Sequence, residues 1–167
     1  YLEFFIDAFI LYKAERYDVK GRKYIGSPLK YYFSDVGLRN ARLNFRQQEE
    51  NHIMENIIYN ELSSRDFSVD VGVVEYCYKD ENKKSKRAQL EIDFVANKGS
   101  KKYYIQSALS MADEEKRNQE TRSLKHVGDS FKKIVVIKDN IIPWHDNDGI
   151  LYIGIEQFLL EENAMDM

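Results

Sequence analysis

The run KKIVVIKD at residues 132–139 constrains this chain more than any other stretch. Ile134, Val135, Val136 and Ile137 show no polar alternation, which is the signature of a strand covered on both faces. A charged helical segment, ADEEKRNQETRSLKHV (112–127), precedes it, with Asp113 placed to favour the helix dipole. A strand that returns after a helix pairs parallel to its neighbour through a right-handed crossover. The fold class that follows is α/β with a mixed sheet flanked by helices.

The segments before this run complete the pattern. Ile53, Met54, Ile57, Ile58 and Leu62 make one wide apolar stripe on a helix over about 47–65, with Glu55 at its border. FSVDVGVVEYCY (67–78), QLEIDFVAN (89–97) and KKYYIQSAL (101–109) read as three strands of an antiparallel meander. KDENKKSKRA (79–88), with five basic and two acidic residues, reads as a mobile hairpin loop. A short strand from Gly149 to Ile153 and a closing helix over 154–162 end the chain. Ahead of all this, LEFFIDAFIL (2–11) suits a short buried helix. LYKAERYD and RKYIGS suggest two strands around Gly21, and KYYF (30–33) a further short one. Ser34 is placed to cap a short helix through Leu38 to Leu43. The chain starts without an initiator Met, as a piece of a longer polypeptide would.

Composition removes several classes. No stretch approaches the roughly 18 apolar residues of a membrane span. The apolar start contains Glu3 and Asp7 and lacks the basic leader of a signal peptide. The single Cys77 excludes an internal disulfide framework and leads us to expect a cytoplasmic protein. Three histidines and one cysteine make a structural zinc site a poor fit. Net charge is −3, but residues 1–47 carry nine Lys/Arg against five Asp/Glu, and residues 48–167 sixteen against twenty-three. The basic first segment could face nucleic acid or an acidic partner; a solvated surface of mixed sign is the plainer account.

The chemistry concentrates on Glu55, Asp93 and Gln106. Asp93 interrupts an apolar strand between Ile92 and Phe94, and Gln106 ends an apolar run on the next strand. Three readings compete: a metal site, the remains of one, or a buried polar network. Carboxylate and carbonyl oxygens suit Mg2+, with Glu55 and Asp93 as candidate ligands. Such an ion activates water against a phosphodiester. That reaction also wants a lysine, whereas the third motif here ends in Ala108. Lys101 and Lys102 lie at the far end of the strand, and a lysine from ENKKSKR (81–87) would have to reach in from a loop. Glu91 shares a face with Asp93, so it either joins the site or points its charge at the helix of 112–127. His52, one turn before Glu55, either bonds to the site or is a polar helix residue. Arg117 and Glu120 read as a helical ion pair, and Trp144 as a packing anchor in a loop. No Gly-rich phosphate loop is present, so this stretch does not itself hydrolyse ATP.

HIMENIIYNEL, EIDFVANKGSKKYYIQSAL and KYYFSDVGLRNA together resemble the C-terminal domain, of unknown function, of a large group of prokaryotic AAA-type ATPases. The resemblance spans nearly the whole chain. It implies the end of a winged-helix unit over 1–46 and a restriction-endonuclease-like, PD-(D/E)xK domain over 47–167, with the ATP-binding module upstream. Motif by motif, Glu55 matches the helix carboxylate, Asp93 the central metal-binding Asp, Gln106 the strand carboxylate and Ala108 the lysine. The group often shows this Gln-x-Ala form. Two functions follow as expectations: a non-catalytic accessory domain that binds or regulates a partner protein or nucleic acid, and, as the alternative, a metal-dependent nuclease with an altered third motif.

Overall fold

The computed structural model describes residues 1–46, 49–79, 84–111 and 113–167. Helix α1 (Leu2–Asp7) leads into strands β1 (Leu11–Asp18) and β2 (Lys23–Phe33), followed by helices α2 (Val36–Arg42) and α3 (Glu50–Ser64). Strands β3 (Ser68–Lys79), β4 (Ser85–Lys98) and β5 (Lys101–Ala108) come next, then helix α4 (Glu114–Lys125) and strand β6 (Lys132–Ile137). The chain closes with β7 (Trp144–His145), β8 (Ile150–Gly154), helix α5 (Ile155–Leu160) and a 3-10 turn (Ala164–Asp166).

All strands join one mixed sheet of eight, in the order β2-β1-β3-β4-β5-β6-β8-β7. The meander β3-β4-β5 is antiparallel, and β6 pairs parallel to β5 across α4, as the Ile/Val run requires. Ile134, Val135 and Val136 are fully buried because α3 and α5 cover one face of the sheet and α4 the other. Ile58 and Leu62 of α3 and Phe158 of α5 fill the first layer; Leu124 of α4 fills the second. Each such side chain contributes about 1.5–3 kcal/mol.

Several expectations change. The hairpin of residues 11–33 is continuous with the main sheet, because β1 lies parallel to β3 through Arg16–Asp18 and Val71–Val73. Residues 23–33 form one long strand, so RKYIGS and KYYF are not separate elements. Helix α1 is not buried: it packs against β1, and Phe4, Phe5 and, just beyond it, Phe9 are exposed. Asp35, not Ser34, caps α2, accepting from the Gly37 and Leu38 amides, while Ser34 Oγ donates to the Ile10 carbonyl. Among the described residues of 79–88, Lys79 ends β3 and Ser85–Ala88 open β4, with Lys79 and Ser85 paired, so these are strand; the part of the expected loop at 80–83 lies outside the described residues. Trp144 belongs to an edge strand, stacked 4.2 Å from the Tyr152 ring.

A carboxylate cluster held by a lysine at the end of the sheet

The odd position of Asp93 has a backbone cause. The β3–β4 ladder slips between the pairs Asp70–Val95 and Gly72–Ile92, so Asp93 and Phe94 both lie opposite Val71. Such a bulge re-aims a side chain without ending the strand. It lets Phe94 enter the core layer beneath α3 while Asp93 turns to the end of the sheet. There the β4–β5 ladder stops at Phe94–Ile105. The Asp93 carboxylate takes over as acceptor: Oδ2 receives the Ser107 N–H at 2.8 Å and the Ser107 hydroxyl at 2.7 Å.

Glu55 projects from α3 toward the same place. Burial first, then the Glu55 charge, push the Asp93 carboxyl up to about 7, against the lowering effect of the Ser107 bonds and of Lys30. Lys30 arrives from β2. Its Nζ lies 3.2 Å from Glu55 Oε2 and 2.7 Å from Glu91 Oε1, and Arg16 of β1 holds the other Glu91 oxygen at 2.6 Å. Burial opposes the Lys30 ammonium, but the Glu55, Glu91 and Asp93 charges outweigh it and raise its pKa above the ordinary lysine value. Glu91 behaves conversely: burial raises it, and its bonds to Lys30 and Arg16 bring it below the usual glutamate value.

Of the three residues singled out in the sequence, Glu55 and Asp93 face the same cleft and repel each other's charge, while Lys30 pairs with Glu55 and Glu91. Gln106 sits between β4 and α4, its Oε1 3.4 Å from both the Asp93 amide and Ser123 Oγ; Ser107 is what meets the Asp93 carboxylate. Glu55, Asp93, Gln106 and Ser107 line a cleft of about 250 Å³ with Ala108, Lys116 and Glu120. Burial raises the Glu120 carboxyl. Glu91 points at β1 and β2, not at α4, and His52 Nδ1 bonds Glu49 at 2.5 Å rather than the site. Arg117 lies over the Trp144 ring. Lys101 pairs with Asp166 and Lys102 lies over Tyr17 and Phe131, both away from the site. Lys30 escaped the sequence reading because only the long β2 strand and its pairing on β1 carry it to Glu55. Asn56 escaped for the same reason: its amide bonds both the Phe33 N–H and C=O, fixing α3 to the end of β2.

The donor set suits an internal cation better than a divalent metal. Among the described residues no three of His, Cys, Asp and Glu gather into a metal-holding group. The Lys30 ammonium and the Arg16 guanidinium together already balance Glu55 and Glu91, and Asp93 spends one oxygen on Ser107.

The fold and site thus define an α/β domain with a mixed eight-stranded sheet and a lysine-bridged carboxylate cluster at one sheet end. The chain is 34% identical over 161 residues to an uncharacterized protein of Haemophilus influenzae. That match takes in 96% of this chain and 36% of the relative, so the chain spans about a third of the relative's length. No family model and no solved structure matches the chain. Among the described residues, no helix is long and apolar enough to cross a membrane.

Proposed function

We propose that this domain is a non-catalytic accessory domain of a prokaryotic AAA-type ATPase. In this reading a restriction-endonuclease-like scaffold serves to bind or regulate a partner protein or nucleic acid. The observation that carries the reading is the Lys30 ammonium between Glu55 and Glu91. It supplies from within the chain the positive charge that a nuclease site of this type takes from a metal. Ala108 at the end of β5 and the Gln106 amide add to the support, since neither side chain can transfer a proton or bind a metal as a carboxylate does.

A second reading is a metal-dependent nuclease with an altered third motif. One observation favours it: Lys30 puts a lysine beside Glu55 and Asp93 by a route outside that motif. Titration calorimetry of Mg2+ and Mn2+ into the chain and its Asp93→Ala variant, with DNA and RNA cleavage measured alongside, separates the two. Absence of metal binding at millimolar ion, with no cleavage, supports the accessory reading. Metal binding and cleavage that both vanish in Asp93→Ala would overturn it.

A further inference from the structure

Strands β3 and β4 continue together past their neighbours. β1 is paired with β3 only to Val73, and β5 with β4 only from Phe94 onward. The pairs from Val74–Leu90 to Lys79–Ser85 therefore project as a two-stranded ribbon from the sheet end that holds Glu91 and Asp93. Its base is braced: the Arg122 guanidinium donates to the Tyr76 hydroxyl, and the His126 ring lies 4.8 Å from that of Tyr76.

Cross-strand partners share a face of a ribbon and successive residues alternate. Tyr78 and Lys86 thus occupy one face, Cys77 and Arg87 the other, and Lys79 follows on the face of Arg87. All five are exposed. Over residues 75–89 the sequence carries Lys79, Lys83, Lys84, Lys86 and Arg87 against Glu75, Asp80 and Glu81, a net positive charge. The β1–β2 turn adds to this charge at the ribbon base, because Lys20 Nζ donates to the Glu75 carbonyl at 2.7 Å. A positive arm is thus built onto a chain whose net charge is −3.

We propose that the β3–β4 ribbon is a nucleic-acid-binding arm that grips the phosphodiester backbone through Lys79, Lys86 and Arg87, with Tyr78 as an exposed aromatic contact. The inference rests on the accessory-domain reading and names its partner and surface. A two-stranded ribbon fits the major groove of a duplex, and charge on both faces lets it meet both flanking backbones. A lone basic loop would have no such defined faces. Here the pairing of Lys79 with Ser85 fixes which charge lies on which side.

Fluorescence anisotropy with a labelled 20-base-pair DNA duplex and an RNA duplex of the same sequence, over about 50–200 mM salt, tests the arm. The chain is compared with Lys79→Gln/Lys86→Gln/Arg87→Gln. A second variant of equal charge loss, Lys98→Gln/Lys101→Gln/Lys132→Gln, changes the opposite sheet end. Circular dichroism checks that both are folded. The expected result is salt-dependent binding whose log–log slope drops by about 2–3 in the ribbon variant and not in the other. Binding that is equal in the ribbon variant overturns the arm and leaves the accessory reading standing. Absence of binding to either duplex at the lowest salt also overturns it, as does displacement of the probe by polyglutamate as readily as by unlabelled duplex; an acidic protein is then the partner. Mg2+-dependent cleavage of the probe overturns the accessory reading while the ribbon result stands.

Discussion

Replacing Lys30 by Met tests the core of the site directly, because Met keeps the length of the side chain and removes its charge. Glu91 retains Arg16 at 2.6 Å, so the group stranded by the change is Glu55, only 18% exposed at its side chain. Stranding one member of a fully buried pair costs about 3–5 kcal/mol, and of a surface pair about 0–1 kcal/mol. With Lys30 itself 27% exposed, a loss of roughly 2 kcal/mol at neutral pH lies between those limits. Urea unfolding at low salt, at pH 7 and again near pH 5, measures it, and the m-value should stay unchanged. The loss shrinks at the lower pH, where Asp93, its carboxyl pushed up to about 7, holds a proton and no longer repels the stranded Glu55 charge. A cycle with Glu55→Gln isolates the pair, with an expected coupling of about 1 kcal/mol or more. If Lys30→Met costs as much in the Glu55→Gln variant as in the wild-type chain, the idea that the ammonium neutralises this carboxylate is refuted.

Three further outcomes follow from the same geometry. Asp93 has its folded pKa raised from 3.8 to about 7, so the folded state holds a proton that the unfolded state has released. Its contribution to stability therefore falls as pH rises from about 4 to about 7, by at most roughly 4 kcal/mol, and Asp93→Asn should flatten that part of the stability profile; an unchanged profile in the variant rejects the assignment. Gly72→Ala places a Cβ 2.9 Å from both Ile92 Cβ and Val95 Cγ2 beside the bulge, and should lower stability by about 1–3 kcal/mol; thermal unfolding as stable as the wild type speaks against the tight approach. Asn56→Leu leaves the Phe33 N–H and C=O without the amide that binds them, at an expected loss of about 2–3 kcal/mol, with faster amide exchange at Phe33 as the local readout.

What the sequence determined by itself is the layer plan. An unbroken Ile/Val strand requires cover on both faces, and a helix placed between two strands requires a parallel return; both demands are local and both are met by α3, α5 and α4 around β6. The sequence also marked Glu55 and Asp93, because each is a charge set into an apolar pattern. It could not show that Asp93 is turned by a one-residue slip against Val71, since a bulge is a property of two strands and not of either alone. Nor could it rank Lys30 above the other basic residues of the first segment. That choice came from the pairing of β2 on β1 and of β1 on β3, which lays residue 30 beside residues 55 and 91. The basic stretch at 79–88 shows the same division. Its charge is written in the sequence, but the pairing of Lys79 and of residues 85–88 in a ribbon depends on cross-strand hydrogen bonds that composition does not reveal. Tertiary structure decided these points because the free energy of an ion pair or a ladder bond depends on distance in space, which separation along the chain does not fix.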